Sequence, residues 1–160
     1  MNFSEFLANV PSFAEFSNQE LAVLEQAMVV RNYADGHLFV EEGRGAESMY
    51  LVIEGKVEVS RRQIHGRGHE ILAQLGSGEL FGLISLLDYG PHTATCMAVG
   101  PVQAASLTRG AFTLLFKANN RVAYDFQHLI AAQLVEHMRA HLGGLLKRLM
   151  DGQQQDPQGG

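Results

Sequence analysis

The sequence predicts a mainly β fold, a jelly-roll-like antiparallel β-barrel with helices before it and a long helix after it. Three observations carry this. Turn signals recur about every ten residues between Val29 and Leu107. Short apolar runs fill the gaps between those turns. Helical periodicity occurs only outside that stretch, so strands do not alternate with helices and a parallel sheet is not expected.

Residues 1–28 read as helices. Phe3, Phe6, Leu7 and Val10 recur at helical spacing. Ser17 and Glu20 form the Ser-x-x-Glu pattern of a capping box, just ahead of Leu21, Leu24, Ala27 and Met28. Phe13 and Phe16 lie between the two helices, where they would anchor them to a core.

Residues 29–107 read as the barrel. Its turns are Asp35-Gly36, Glu42-Gly43, Glu54-Gly55, Gly66-Arg67-Gly68, Gly76-Ser77-Gly78, Gly90-Pro91 and Gly100-Pro101. Met49 to Ile53, Val57 to Val59 and Ile71 to Leu75 are among the strand runs between them, and about eight strands are expected.

Residues 108–150 read as helices again. Thr108 caps a short helix through Lys117, and a long one starts near Asn120 and runs to Met150. On it Phe126, Ile130, Leu134, Met138 and Leu142 recur every four residues, with Leu145 and Leu149 beyond. A small barrel cannot cover so long a stripe, which predicts a homodimer with these residues at the interface. Gly143-Gly144 interrupts the stripe and marks a hinge, a helix end or a close crossing, since each Gly costs about 1 kcal/mol against Ala inside a helix. Residues 151–160 are polar and rich in Gln and Gly, and a disordered tail is expected after a domain of residues 1–150.

Composition narrows the function. The apolar share is 46% and the charged share 18%, as in soluble globular proteins. No apolar run approaches a membrane span, the first residues carry no secretory pattern, and Cys96 has no partner for a disulfide. A cytoplasmic protein is the expectation. Net charge is −5, and the one basic cluster, Arg61, Arg62 and Arg67, reads as a solvated hairpin, so no nucleic-acid partner is expected. Neither a Ser-His-Asp pattern nor the His-x-His of metal-dependent barrels is visible, and no enzymatic role is assigned. His137 and His141 lie four apart on a helix, as two metal ligands would, but without a third no metal is assigned.

The segment from Gly78 to Cys96, with Phe81-Gly82 near its start, resembles the phosphate-binding cassette of cyclic-nucleotide-binding domains. That family includes the catabolite gene activator and the regulatory subunit of cAMP-dependent protein kinase. Tyr33-Ala34-Asp35-Gly36, Glu42-Gly43 and Met49 through Val57 are similar to the family's turns and central strand pair, and the resemblance covers about residues 3–150. It implies a regulatory or sensor domain. It also implies a pocket for a nucleotide-like or other small molecule at Phe81, Gly82, Leu83, Ile84, Ser85, His92, Thr93 and Ala94, with His137 and Met138 where the family's base stacks.

Two positions depart from the family. A Glu that accepts from the ribose hydroxyl is Leu83 here, and the Arg that faces the phosphate is His92. Leu83 accepts no hydrogen bond, and an imidazole carries only part of a charge near its ordinary pKa of ~6.5. Losing two charged hydrogen bonds costs about 3–6 kcal/mol, or roughly two to four decades of affinity. Weak or absent binding of cAMP and cGMP is expected. A genuine cyclic-nucleotide binder that uses His92 for the phosphate and a protein-interaction scaffold acting through the long helix are the alternatives. The family's activators continue into a helix-turn-helix, and residues 143–160 are too few and too rich in Gly and Gln to hold one, so a separate output protein is expected.

Overall fold

A computed structural model describes residues 2–118 and 120–153, without the side chains of His137, Ala140, His141 and Gln153. The chain divides into two compact units, Met1–Asp125 and Phe126–Gly160.

The first unit opens with α1 (Phe3–Ala8) and α2 (Asn18–Ala27), joined through a 3-10 turn at Pro11–Phe13. Asn2 and Glu5 build a capping box on α1. Ser17 and Glu20 build the predicted one on α2, where Glu20 Oε2 accepts from the Ser17 N–H at 2.6 Å and Ser17 Oγ accepts from the Glu20 N–H at 3.3 Å. The apolar spacing picks out the inward faces, for Leu7, Val10, Phe13, Leu21 and Leu24 are all buried.

Six strands follow in one antiparallel sheet: β1 (Val29–Tyr33), β2 (Leu38–Val40), β3 (Ser48–Arg62), β4 (His69–Leu75), β5 (Leu80–Phe81) and β6 (Thr95–Thr108). β3 and β6 pair with each other along nearly their whole length. β1 and β2 pair with β6, and β4 and β5 pair with β3. The barrel interior holds Phe39, Val40, Val52, Val57, Phe81, Cys96, Ala98, Val102 and Ala104, with Tyr33 and Tyr50 packed against them.

The strand count differs from the sequence expectation of about eight, and the reason is a corner. Glu54-Gly55 and Gly100-Pro101 read as chain-reversing turns, but neither ends a strand. The register slips between Val52 and Glu54, opposite Ala104 and Gln103, and again between Glu54 and Lys56, where β6 passes through Gly100 and Pro101. These bulges bend both strands together, so each contributes two arms without a break. Gly55 has φ +97°, and a Cβ there would lie 2.5 Å from the Pro101 carbonyl oxygen. Only glycine fits that close approach.

β6 runs directly into α3 (Arg109–Lys117), where the Thr108 hydroxyl accepts from the Ala111 N–H at 3.1 Å. α4 (Arg121–Gln153) follows. It begins in the first unit, where Val122 and Ala123 are buried. In the second unit it runs unbroken through Gly143-Gly144, so no helix end lies there. It also passes Met150, so Asp151 to Gln153 are helical rather than part of a tail; residues 154–160 lie outside the described residues. Among the described residues no helix is long and apolar enough to cross a membrane.

Two stripe residues need correction as interface positions. Phe126 is 0% and Ile130 2% exposed in the single chain, so they offer no face to a second copy. Leu134, Met138 and Leu142 are exposed, as are Leu145 and Leu149. The free stripe therefore starts at Leu134.

The corner gives a test of the fold. Gly55→Ala combines a positive φ with a backbone clash and should cost about 2 kcal/mol or more. Gly100→Ala, at φ +74° with open space around the new Cβ, should cost only about 1 kcal/mol. Urea unfolding of the two variants checks the order, and equal losses would show that the corner is not sterically locked.

Candidate ligand site

The cassette begins where β5 hands the chain to a tight turn. Tyr50 and Leu51 of β3 pair with Phe81 and Leu80. The Phe81 ring stacks on Tyr50 at 5.2 Å and meets Phe39 edge-on at 5.3 Å. Phe81 is thus a core residue that fixes the start of the cassette. Gly82 follows with φ +72°, where a Cβ would lie 2.9 Å from the Ser48 carbonyl oxygen. This left-handed residue turns the chain off the sheet and into the 3-10 turn Leu83–Leu86, which packs on β3.

Leu83, Ser85 and Leu86 point inward, while Ile84 and Leu87 are exposed. Leu83 is 3% exposed. The position that carries the family's acceptor is therefore an apolar contact inside the fold. Ser85 is also buried, and its hydroxyl lies 3.1 Å from His92 Nε2. The His92 backbone is held on both sides by the loop after β2: its N–H donates to the Arg44 carbonyl at 2.9 Å, and its carbonyl accepts from the Gly43 N–H at 2.8 Å. Thr93 is exposed and Ala94 half-buried, with Thr95 Oγ1 accepting from the Glu42 N–H at 3.0 Å.

Burial pushes the pKa of His92 below its ordinary value. Asp88 works against that, and Arg109 adds to it. Burial likewise raises the Cys96 thiol to about 11, so this core cysteine is no nucleophile near neutral pH.

Arg109 was not visible as a site residue in the sequence. It is 9% exposed at the start of α3 and reaches back into the cassette. Its Nε donates to the Ser85 carbonyl at 2.7 Å. One terminal nitrogen donates to the Ala46 carbonyl at 2.8 Å and the Asp88 carbonyl at 2.9 Å. The Tyr89 ring covers the guanidinium, with its centroid 3.8 Å from the central carbon. One signal was available in the sequence: a cation on the first residue of a helix opposes the helix dipole, and such a local conflict asks for a tertiary partner.

Of the remaining sequence candidates, Met138 is an exposed residue of the second unit. His137 lies on α4 with its side chain outside the described residues, as does that of His141.

The site is thus a bent antiparallel barrel that carries a glycine-started turn and a returning strand. Residues 30–119 match the family model of the cyclic nucleotide-binding domain, and the chain belongs to that family. It is 32% identical over 126 residues to the cyclic AMP receptor protein of Thermus thermophilus, covering 79% of this chain and 58% of that one. It is 30% identical over 105 residues to the cAMP-dependent protein kinase regulatory subunit of Mycosarcoma maydis, covering 66% and 20%. The crystal structure of the Thermus thermophilus catabolite activator protein superposes with a TM-score of 0.73 at 30% identity, covering 88% of this chain and 63% of that one. The chain thus spans only part of the length of each of these relatives.

The lowered His92 pKa has a definite sign. The unfolded chain takes up this proton at a higher pH than the folded one does. The contribution to stability is therefore complete above the ordinary value of ~6.5 and is lost as pH falls through the lowered folded value. An NMR titration of the His92 ring should show a midpoint below the ordinary imidazole value of ~6.5. A midpoint at or above it would mean that the ring is not held in the described environment.

Proposed function

We propose that this chain is a ligand-sensing regulatory module, without catalysis of its own, whose cassette holds cAMP and cGMP weakly or not at all. One observation carries the reading: the family's ribose acceptor is replaced by a leucine that lies buried inside the fold. His92 supports it, since the ring faces a buried hydroxyl and its charged form is disfavoured. A phosphate would meet no permanent side-chain charge from either position. The ligand is then a small molecule other than an ordinary cyclic nucleotide. The reading places the protein in the cytoplasm, without nucleic acid, and passes its signal to a separate output protein.

The same reading makes the active form a homodimer through α4. Leu134, Met138, Leu142, Leu145 and Leu149 lie exposed on one helix, and a second copy of that stripe would bury them.

Calorimetry tests the ligand half. The unaltered protein should show no cAMP or cGMP binding up to about 100 μM. Leu83→Glu with His92→Arg restores both family contacts and should raise cAMP affinity by about 100-fold or more. The two changes should be more than additive, because they would hold one ligand. Leu83→Glu alone should lose about 3 kcal/mol of stability, since it buries a carboxylate in an apolar place. Micromolar cAMP binding by the unaltered chain near pH ~8, where His92 is neutral, would replace this reading with a true cyclic-nucleotide binder.

Light scattering tests the dimer. Leu134→Glu with Met138→Glu should give a folded monomer, with the circular dichroism spectrum preserved. An unaltered protein that is monomeric at roughly tens of micromolar would remove α4 as the dimer seam.

A further inference from the structure

We infer that Arg109 is the positioning residue of the cassette: from the start of α3 it fixes the backbone that orients Ser85, and through Ser85 it sets the place of His92. The geometry is a chain of contacts that begins outside the cassette and ends at its functional side chain. Arg109 Nε donates to the Ser85 carbonyl at 2.7 Å, and the Ser85 hydroxyl lies 3.1 Å from His92 Nε2. The same guanidinium donates to the Asp88 carbonyl at 2.9 Å and the Ala46 carbonyl at 2.8 Å. Three stretches therefore converge on one side chain: the cassette turn, the loop that follows it and the loop between β2 and β3.

The choice of arginine is specific. A planar fork reaches several fixed carbonyls at once, which the point charge of a lysine does not. A buried guanidinium left unpaired would be costly, so the cassette backbone and the cation hold each other in place. The partners are all main-chain carbonyls, and among the described residues no ion pair within 4.0 Å is formed by Arg109. A carboxylate would neutralise the cation. Carbonyls leave its charge to act on the neighbouring imidazole. Two charged groups face His92: Asp88 from the cassette loop, which favours the imidazolium, and Arg109 from α3, which disfavours it. Tyr89, itself 78% exposed, lies over the guanidinium and shields that face from water. Arg109 also couples the cassette to the helical segment, because its own N–H donates to the Glu47 carbonyl at 2.7 Å as β6 becomes α3.

A merely structural arginine would change stability everywhere. A positioning arginine changes the cassette and His92 selectively. The experiment is amide hydrogen exchange with NMR titration on the unliganded protein, so it stands apart from any question of ligand. The reporters are the hydrogen-bonded amides of Ser85, Leu87, Asp88 and His92, against those of the β3 core at Leu51 and Val52. In Arg109→Gln the cassette amides should exchange about tenfold faster than in the native protein while the β3 amides keep their rates, and the His92 midpoint should rise. Equal acceleration of both sets, or an unmoved His92 midpoint, overturns the inference. Should the Gln variant fail to fold, Arg109→Lys decides. It keeps the charge without the fork, so the cassette should still exchange faster while His92 titrates near its native midpoint. Native exchange in the cassette of the Lys variant would show that the three carbonyl contacts do not hold it.

Discussion

The β3–β6 ladder is the constraint on which the rest of the molecule depends. Every other strand is hydrogen-bonded to one of these two. Their joint bend at Gly55 and Gly100-Pro101 lets a single long pair close around an interior. Residues on both sides of the bend meet in that interior, Val57, Cys96 and Ala98 on one side and Val52, Val102 and Ala104 on the other. The cassette inherits its position from the same ladder. β5 is only two residues long, and it is placed by pairing with Tyr50 and Leu51, which in turn pair with Ser106 and Ala105 of β6.

Two kinds of residue make the cassette, and they are separable. The frame consists of Gly82, the backbone hydrogen bonds at His92, and the Arg109 carbonyl contacts, none of which involves a ligand. The positions on which the proposed ligand reading turns are Leu83 and His92. A chain can lose charge at the second set and retain the fold, because the first set does the folding. Leu83 in place of an acid puts an apolar side chain where a buried polar group would need a partner, so a leucine there favours the unliganded fold.

The long helix presents the opposite case, with chemistry that the single chain leaves unfinished. Its exposed leucines and methionines would each gain roughly 1.5–3 kcal/mol on full burial. Gly143 and Gly144 stand inside it with open space where a Cβ would lie, so nothing within the chain demands glycine there. Each lowers helix stability by about 1 kcal/mol relative to Ala. An unbroken helix leaves two of the sequence expectations for the pair standing, a hinge and a close crossing by another helix.

Local chemistry made much of the fold legible in the sequence. The capping box at Ser17 and Glu20, the turn glycines and the apolar periodicity located the helices and the barrel, because caps and turns are satisfied within a few residues of themselves, while the cassette was legible through its resemblance to a family motif. The corner at Gly55 was misread as a reversal, since a glycine after an acidic residue looks the same whether the chain turns back or bends in concert with a partner strand. Only the opposing Pro101 carbonyl decides between them. The stripe on α4 was legible as periodicity, yet periodicity could not tell that Phe126 and Ile130 are already buried while Leu134 is not. Leu83 and His92 were readable as departures by their place in the motif. That Leu83 turns inward, that His92 faces Ser85 and that Arg109, 24 residues from Ser85 along the chain, donates to the Ser85 carbonyl depends on tertiary contacts, which no local pattern encodes.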